Sequence, residues 1–453
     1  MSDTIAAVAT ARGAAALGII RISGPAAGNI LAAIVPGTHA LKKNRLMVRG
    51  LAREIETGAV IDEVMCFFAP GPATATGEDV AEIQGHGGLI IMETLLAATI
   101  AAGARAAEPG EFTYRAFRNG RMDLTQAEAV MSLIGARSRR AARTAIRQLA
   151  GSLGASLGKD YERLTGALAQ LEAGLDFPDE DLPLSQSSIL AYEMEQIAKR
   201  LADSLKTFKL GRLLTEGATV VLAGPSNAGK SSLFNRLVKD DRALVDNEPG
   251  TTRDVVEAQA QIDGIPIMFF DTAGLRDTPG KVERQGMERS KKTALRADVL
   301  LLILDGTGSY EKLPPELKEI IKGDVEATIL VWNKKDLSDF NISFNKVLHP
   351  FESVSVSAIT GEGIDKLESL ISSFLSSGGD DGEVILTTAR QHAAICVAQE
   401  HIQRSAARLR KAGDLELAAT DLRWAAESLA SLWGKSTSDE VINKIFSSFC
   451  LGK

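Results

Sequence analysis

The N-terminal part of the chain alternates short apolar runs with glycine-rich turns. The runs LGIIRIS (17–23) and EVMCFFA (63–69) are rich in β-branched and aromatic residues, which favour strands. The alanine-rich segment METLLAATIAAG (92–103) favours a helix. The pattern predicts a compact α+β domain that ends at about residue 118.

At Asp123 the apolar positions begin to follow helical spacing. Asp123 and Gln126 predict a capping box ahead of an Ala/Leu/Arg-rich segment that extends to about Leu175. Residues 187–210 continue as an amphipathic helix, and helical sequence returns near the C-terminus. There Thr437 and Glu440 predict the cap of a last helix, after a helix whose apolar positions are Leu415, Leu422, Ala426, Leu429 and Trp433.

Between the two helical parts, from Thr219 onward, continuous apolar runs alternate with amphipathic segments. The runs TVVLAG, IMFFD, VLLLILD, TILVWN and VSVSA are typical of buried parallel strands. SSGGDDGE (376–383) has the composition of a flexible acidic linker. We therefore predict a multidomain protein with an N-terminal α+β domain (1–118), a discontinuous α-helical domain (119–215 and 381–453) and an α/β domain inserted into it (216–380).

Composition narrows the classes of protein. The 453 residues are enough for two or three domains, and no apolar run reaches the length of a membrane span. The weakly apolar N-terminus does not resemble a signal peptide, and three scattered cysteines do not suit a disulfide framework, so we expect a cytoplasmic protein with no membrane association. The net charge of −7 argues against indiscriminate nucleic-acid binding but does not exclude a local basic stripe.

The segment GPSNAGKS (224–231) matches the phosphate-binding loop pattern G-x-x-x-x-G-K-[ST]. It lies between an apolar strand and a helix, where backbone N–H groups can wrap phosphates at the helix N-terminus. Lys230 supplies a cation for the β- and γ-phosphates, and Ser231 supplies a hydroxyl ligand for Mg²⁺.

Four more motifs follow in order. GTTRD (250–254) offers Thr252 as a second Mg²⁺ ligand, and DTAG (271–274) places Asp271 near the metal and Gly274 near the γ-phosphate. NKKD (333–336) offers Asp336 to the N1–H and amino hydrogens of guanine, with SAI (357–359) completing the base pocket. Adenine lacks those donors, so it would leave the carboxylate unpaired at a cost of roughly 10⁴-fold or more in selectivity. The set predicts a GTPase domain on a Ras-like, doubly wound α/β sheet.

The residue after DTAG is Leu275, although many GTPases use a glutamine there to orient the attacking water. Hydrolysis therefore needs a water-positioning group and a cation from elsewhere. Asn227 in the phosphate loop and Glu283 farther along are candidates, and both also fit solvated loop residues.

The chain resembles the MnmE (TrmE) family of tRNA-modification GTPases, within the TrmE-Era-EngA-like superfamily, over essentially its full length. The resemblance lies in the GTPase motifs and in IIRISG (19–24), GEDVAEIQGHGG (77–88), EPGEFTYRAFRNGRMDLTQAEAV (108–130) and FSSFCLGK (446–453). It implies GTP-binding positions at Asn227, Ala228, Gly229, Lys230, Ser231, Ser232, Asp246, Asn247, Glu248, Pro249, Gly250, Thr251, Thr252, Asp271, Thr272, Ala273, Gly274, Asn333, Lys334, Asp336, Ser357 and Ala358.

The resemblance also implies ligands and partners. The N-terminal domain is expected to bind 5-formyltetrahydrofolate or a related tetrahydrofolate and to form a homodimer. The folate contacts carried over by position are Arg21, Glu82, Arg121 and Lys453, where Arg121 replaces a lysine common in the family. The flavoprotein MnmG would be the partner, with FAD bound only there. Together the two proteins would add a carboxymethylaminomethyl or aminomethyl group to C5 of the wobble uridine of certain tRNAs.

K⁺ activation is a further implication of the resemblance, with K⁺ in the place of an arginine finger. The positions that match the family's K⁺ ligands are Asn227, Asp246, Glu248 and Thr251, some of them through backbone carbonyls. Glu283 would position the attacking water through a bridging water. One departure is TARGAAALG (10–18), where the family usually has a proline-glycine-arginine stretch.

Two features have competing interpretations. His86 lies between glycines without a second ligand nearby, so a role in supporting the turn beside the folate pocket suits it better than a metal site. Four arginines recur at three- and four-residue steps, which predicts one helix face; such a face is either merely solvated or contacts tRNA phosphates. They are Arg137, Arg140, Arg143 and Arg147.

Cys450, three residues before the last residue, does not fit a prenylation signal, because Leu-Gly-Lys follows it. It is either a catalytic nucleophile toward the uracil ring or a tail residue that packs near the folate. The sequence as a whole predicts a GTP-hydrolysing tRNA-modification enzyme. The alternative is a regulatory or ribosome-assembly GTPase switch, which would share only the α/β domain.

Overall fold

The computed structural model describes residues 3–38, 46–176, 184–239, 257–271, 297–310, 327–344, 351–376, 384–411 and 414–452. The chain divides into two compact units. The first comprises residues 1–131, 149–154 and 427–453, and the second comprises residues 132–148 and 155–426.

The first unit contains a six-stranded mixed sheet. Its strand order is β3-β4-β5-β2-β1-β6, in which only the β1–β6 pair is parallel. The strands are β1 (Ile5–Val8), β2 (Ala15–Ser23), β3 (Val48–Arg53), β4 (Val60–Ala69), β5 (Val80–Gly87) and β6 (Arg105–Ala106). β2 and β4 confirm the two strands predicted from LGIIRIS and EVMCFFA.

One face of this sheet packs on two helices, and part of the other face is covered by Phe112, which clusters with Ile5 and Ala7. Ile20, Ile22 and Ile83 are fully buried in a core with α1 (Ala27–Ile34) and α2 (Leu89–Ala101). Because side chains alternate along a strand, the residues between them lie on the opposite face. That face carries Arg21 and Glu82, which are paired in the register of β2 and β5, so the polar positions of the two motifs lie side by side.

Three more helices belong wholly or mainly to the first unit: α3 (Glu111–Arg118), α4 (Leu124–Ile134) and α13 (Asp439–Ser447). The predicted capping box at the start of α4 is confirmed, because the N–H of Gln126 donates to Asp123 Oδ1 and the N–H of Asp123 donates to Gln126 Oε1, both at 2.9 Å. The predicted cap at Thr437 is wrong. Ser438 precedes α13, and the Thr437 hydroxyl donates instead to the carbonyl of Ser431 at 3.0 Å.

The other helices of the described residues lie wholly or mainly in the second unit. They are α5 (Arg139–Leu149), α6 (Ser152–Asp176), α7 (Leu184–Lys206), α8 (Phe208–Glu216), α9 (Lys230–Lys239), α10 (Ile364–Leu375), α11 (Ala389–Leu409) and α12 (Leu415–Leu432). The helix predicted over 187–210 is interrupted at Thr207. Its hydroxyl donates to the carbonyl of Ser204 at 2.7 Å and accepts from the N–H of Leu386 at 3.1 Å, which separates α7 from α8.

The sheet of the second unit has the order β14-β12-β10-β7-β9-β8, parallel except for the β8–β9 hairpin. Its strands are β7 (Ala218–Ala223), β8 (Glu257–Ile262), β9 (Ile265–Asp271), β10 (Val299–Asp305), β12 (Thr328–Asn333) and β14 (Glu352–Ser355), while β11 (Ser309–Tyr310) and β13 (Ser343–Phe344) form a separate pair. The carboxyl ends of β7, β9, β10 and β12 therefore meet at one edge, which is where ligands bind in sheets of this type.

Within the described residues, no helix is both long enough and apolar enough to cross a membrane.

Candidate functional site

The phosphate-loop motif connects the end of β7 to the start of α9, as the sequence predicts. The loop requires small residues at its start, since a Cβ on Gly224 would lie 2.1 Å from the carbonyl oxygen of Ile303. Asn227 adopts a φ of +66°, a left-handed conformation that asparagine tolerates better than most residues. The loop thus curves around the position ahead of the first turn of α9.

Two side chains at the start of α9 point to the same edge of the sheet. Lys230 is 7% exposed, and its Nζ donates to the carbonyls of Gly224 at 3.0 Å and Pro225 at 2.8 Å. The Ser231 hydroxyl donates to Asp271 Oδ2 at 2.9 Å. A hydroxyl and a carboxylate in contact beside a buried lysine form an oxygen-rich, charged corner at the loop; the neighbouring Ser232 is exposed on α9.

Asn333, the last residue of β12, connects this loop with the neighbouring one. Its Nδ2 donates to the carbonyl of Ala228 at 2.9 Å, and its Oδ1 accepts from the N–H of Ala358 at 3.1 Å. The close approach requires Gly229, whose Cβ, if present, would lie 2.2 Å from Asn333 Nδ2. Asn333 is only 2% exposed, so its side chain is a structural bridge between two loops.

Asp336 and Ser357 lie together beyond this bridge. The Ser357 hydroxyl donates to Asp336 Oδ1 at 2.6 Å and accepts from the N–H of Thr360 at 3.0 Å. Ser357 is fully buried whereas Asp336 is exposed. The hydroxyl therefore fixes one oxygen of an otherwise exposed carboxylate.

The sequence alone does not single out Asp305, which joins the same edge. Its Oδ2 lies 2.5 Å from Lys334 Nζ, and Lys334 has a φ of +67°. Burial raises the pKa of Asp305, but hydrogen bonds from Lys334 and Thr307 outweigh that effect and hold the pKa below its ordinary value. The position was detectable, because Asp305 ends the apolar run VLLLILD just as Asp271 ends IMFFD.

The remaining predicted positions of this site lie outside the described residues. They are Asp246, Asn247, Glu248, Pro249, Gly250, Thr251, Thr252, Thr272, Ala273, Gly274 and Glu283.

In the first unit, Arg21 Nε donates to Glu82 Oε1 at 2.9 Å, and the guanidinium lies 6.0 Å from the centre of the Phe112 ring. Both charged side chains are mostly covered, with 25% and 13% of their surfaces exposed. Arg121 lies beside Gly77, in the loop that leads into β5. The sheet thus brings Arg21 of β2 and Glu82 of β5 into contact. Arg121, the third predicted folate residue, lies beside the loop that precedes β5.

His86 follows Glu82 on the same face of β5. Its Nδ1 lies 2.8 Å from Asp62 Oδ1, and its N–H donates to Asp62 Oδ2 at 2.7 Å. A shallow depression of about 270 Å³ adjoins it, lined in part by Leu17, Met65 and Gln84. Asp62 therefore fixes both the backbone and the ring of His86 at the rim of this depression.

The C-terminal tail packs against the N-terminal domain within the first unit. The carbonyl of Cys450 accepts from the N–H of Gly110 at 3.4 Å, and a Cβ on Gly452 would lie 2.4 Å from the carbonyl of Val8. The thiol of Cys450 is exposed, whereas Cys66 is buried and its pKa is raised by burial to about 11. Lys453 lies outside the described residues.

A buried charge cluster in the same unit is not apparent from sequence patterns. The Arg115 side chain has no exposed surface and makes ion pairs with Asp3 at 3.0 Å, Glu111 at 3.0 Å and Glu78 at 3.1 Å. Ser23 adds a hydrogen bond to Glu78 at 2.8 Å. The cluster joins the N-terminus, α3 and the loop before β5, which supports the face that carries Arg21 and Glu82.

A parallel α/β sheet with a G-x-x-x-x-G-K-S loop, and with NKKD and SAI loops joined to it at one edge, defines a P-loop GTPase. The family model of the MnmE helical domain matches residues 124–450, and the model of the GTP-binding protein TrmE N-terminus matches residues 4–121. The chain belongs to the MnmE (TrmE) family of tRNA modification GTPases.

Similar proteins cover the chain from end to end. The tRNA modification GTPase MnmE of Opitutus terrae is 40% identical over 457 residues, which span 100% of this chain and 99% of that protein. The protein of the same name from Pseudomonas syringae pv. tomato is 39% identical over 456 residues, with the same coverage of 100% and 99%.

Similar solved structures cover a smaller part. The G domain of the T. maritima FeoB iron transporter is 26% identical and covers 35% of this chain and 98% of that chain, with a TM-score of 0.26. An Aquifex aeolicus Era variant bound to GDP and AlF4⁻ is 27% identical and covers 41% of this chain and 66% of that chain, with a TM-score of 0.28.

Proposed function

We propose that this chain is a cytoplasmic, GTP-hydrolysing enzyme that modifies the wobble uridine of tRNA. The observation that carries the GTP part is the Asn333 bridge, since it joins the loop that contains Ala228 to the loop that contains Ala358 at one sheet edge. The names of relatives that match the full length, tRNA modification GTPases, support the tRNA part.

Guanine selectivity is assigned to Asp336. With Oδ1 held by Ser357, the carboxylate is oriented to accept the N1–H and amino hydrogens of guanine. An adenine base offers an acceptor in place of the N1–H, so it would leave the carboxylate unpaired. Asn333, Lys334 and Ala358 would line the remaining sides of the base.

The phosphates would lie at the loop before α9. Lys230 would exchange the loop carbonyls that it contacts for the β- and γ-phosphates, with the N-terminus of α9 adding favourable N–H groups. Ser231 and Asp271 fit a Mg²⁺ ion, because their oxygens already lie 2.9 Å apart and hard cations prefer such donors. A bound ion there supplies charge neutralisation of the phosphates, and Thr252 is proposed as the second direct ligand.

Hydrolysis in this chain is proposed to depend on K⁺. Asn227 can serve as a cation ligand because its side chain is exposed at the turn of the phosphate loop, where its backbone has a positive φ. Asp246, Glu248 and Thr251 are the other proposed ligands, and a K⁺ ion held there supplies positive charge next to the phosphates. Glu283 is proposed to orient the attacking water, because Leu275 has no group that can do so.

Folate is proposed to bind in the first unit, at the face of the sheet that carries Arg21 and Glu82. Arg21 and Glu82 offer a donor and an acceptor side by side, which suits the polar edge of a pterin ring. Arg121 and Lys453 are cations suited to the carboxylates of the folate tail. The docking of the tail beside Val8 and Gly110 supports a position of Lys453 near this domain.

The one-carbon transfer is proposed to require two further associations. A homodimer would form through the N-terminal domain, and the flavoprotein MnmG would contribute FAD. Cys450 is proposed as the nucleophile toward C6 of the uracil ring, consistent with its exposed thiol. A Cys450→Ser variant that retains full modification activity would remove that role.

Nucleoside analysis of tRNA from cells that lack the protein tests the proposal directly. Loss of the C5-modified wobble uridine, restored by the wild-type gene, is the expected result. Unchanged nucleosides, together with normal GTP turnover, would favour a regulatory GTPase switch. GTP turnover that is equally fast in Na⁺ and K⁺ would contradict the proposed K⁺ site.

A further inference from the structure

Helix α5 has an unusual composition. Its sequence, RRAARTAIRQL, contains four arginines and no acidic residue, in a chain whose net charge is −7. Ala141, Ala145 and Gln148 form its buried face. The rest of the helix surface is therefore cationic, without carboxylates of its own.

Contacts at both ends fix the rotation of α5 about its axis. Near its start, Arg140 Nη1 donates to the carbonyl of Asp263 at 3.3 Å and lies 3.6 Å from the Asp263 carboxylate. Near its end, Gln148 Nε2 donates to the carbonyl of Ile385 at 2.7 Å, and Gln148 Oε1 accepts from the Thr387 hydroxyl at 2.9 Å. Which arginines point outward is thus determined by the fold.

The structure changes the predicted arginine face. Arg140 packs on the β8–β9 turn, so closely that a Cβ on Gly264 would lie 2.9 Å from Arg140 Cβ. The exposed column consists of Arg139, Arg143 and Arg147, one helical turn apart. At a rise of about 1.5 Å per residue, successive positions are about 6 Å apart along the axis.

Arg139 and Arg143 differ from several arginines on other helices of the second unit. Across the described ranges, no carboxylate lies within ion-pair distance of either one. By contrast, four arginines of α7, α11 and α12 and Arg410, directly after α11, are each paired with a carboxylate: Arg200 with Asp160, Arg404 with Glu400, Arg408 with Asp421, Arg410 with Glu195 and Arg423 with Glu172.

A column of like charges at i, i+4 spacing destabilises a helix by roughly 0.2–0.5 kcal/mol per pair. The column therefore costs folding stability, and helix formation does not account for it. A polyanion does, because its phosphates supply opposite charges to Arg139 and Arg143, which have no carboxylate partner among the described residues.

We propose that the exposed arginines of α5 bind the phosphate backbone of tRNA. This inference rests on the proposed function, which supplies tRNA as the partner. It adds the surface of the protein that binds the tRNA. Charge complementarity selects an RNA backbone over an apolar or basic protein surface. Because phosphate contacts carry no sequence information, this surface positions the tRNA and leaves recognition of the base to other groups.

The test is a salt titration of tRNA binding to the full-length protein. Arg139→Gln with Arg143→Gln removes two charges from exposed positions without touching the buried face. Each lost phosphate contact lowers the slope of log K against log salt by about 1, so we expect a slope smaller by about 2. At low salt we expect tRNA affinity to fall about tenfold or more.

Two matched variants sharpen the result. Arg404→Gln also removes an exposed arginine, but one that is already paired with Glu400, so tRNA affinity and slope should not change. Arg139→Lys with Arg143→Lys keeps the charge and should retain most of the slope. Circular dichroism melts of all three variants establish that the fold is intact.

The possible outcomes separate the inference from the proposed function. A wild-type protein that binds no tRNA overturns the proposed function and the inference with it. A wild-type protein that binds tRNA with the same slope as the double glutamine variant overturns only the α5 surface. If the double glutamine variant binds tRNA as the wild type does but no longer binds an acidic protein, the assignment of the α5 surface to tRNA is also overturned.

Discussion

The side chain of Asn333 donates to the carbonyl of Ala228 at 2.9 Å, so the loop after β12 and the phosphate loop form one body. Asn333 is the first residue of the NKKD motif, whose side chains are expected to contact the guanine base. Here the asparagine is buried and its contacts are internal. Its first effect is to set the distance between the base region and the phosphate region.

Replacing Asn333 with alanine should therefore weaken GTP binding through loss of this bridge. The carbonyl of Ala228 and the N–H of Ala358 would both lose their partner, at about 1–3 kcal/mol for each buried group. We expect GTP affinity to fall at least about tenfold, with a lower melting temperature. Calorimetric titration measures the affinity, and Asn341→Ala, an exposed asparagine nearby, is the control.

Asp336→Asn should change the preferred base. The carboxamide loses the second acceptor for guanine but gains N–H donors that suit the extra carbonyl of xanthine. GTP affinity should fall by roughly 100-fold or more, and xanthosine triphosphate should bind better than GTP. Competition binding with both nucleotides measures this, and Asp339→Asn, an exposed carboxylate in the same loop, should behave as wild type.

Arg115 should be critical for the stability of the first unit. Removing this buried cation breaks the ion pair of Glu78 and leaves Glu111 with Arg105 alone, and breaking a buried ion pair in this way typically costs about 3–5 kcal/mol. Arg115→Gln is expected to lower the melting temperature and folate binding together. Arg118→Gln, in which the arginine is exposed and 3.9 Å from Asp439, should have little effect on either quantity.

The same cluster predicts a loss of stability in acid. Burial raises the pKa of Glu111, but hydrogen bonds from Arg105, the backbone of Glu108 and Arg115 outweigh it and hold that pKa below the ordinary 4.5. A lowered pKa stabilises the fold at pH values above the ordinary one, and this contribution is lost as the pH falls through the folded-state value. Melting curves from pH 7 down to about 3 should show the loss beginning near the ordinary pKa, and Glu111→Gln should flatten it.

Gly452→Ala should displace the C-terminal tail. A Cβ there would lie 2.4 Å from the carbonyl of Val8, and the φ of +87° is itself unfavourable for alanine. Thermal stabilisation by 5-formyltetrahydrofolate should then be reduced, because Lys453 is carried on this tail. Gly120→Ala has a similar φ of +68° with open space around it, so equal ligand stabilisation in the two variants would contradict the model of the tail as part of the folate site.

The GTPase class was predictable from sequence because its motifs are local. GPSNAGKS must follow a buried strand and open a helix to wrap a phosphate, and each condition is visible in the order of apolar and glycine residues. The capping box of Asp123 and Gln126 was predictable for the same reason, since its partners lie three residues apart. Thr437 shows the limit of such patterns, because its hydroxyl donates to the carbonyl of Ser431 and Ser438 occupies the N-cap position instead.

What the sequence determined by itself is therefore the set of elements and the chemistry of each loop. Only the tertiary structure decided which distant side chains meet: Asn333 with Ala228, Arg115 with Glu78, and Arg140 with Asp263. Periodicity predicted one helix face with Arg137, Arg140, Arg143 and Arg147, but α5 begins only at Arg139, and Arg140 packs against the β8–β9 turn. Contacts between residues far apart in sequence depend on how whole helices and strands are placed relative to one another. The burial of apolar surface sets that placement, and because this force is non-directional, it does so only when the complete chain has folded.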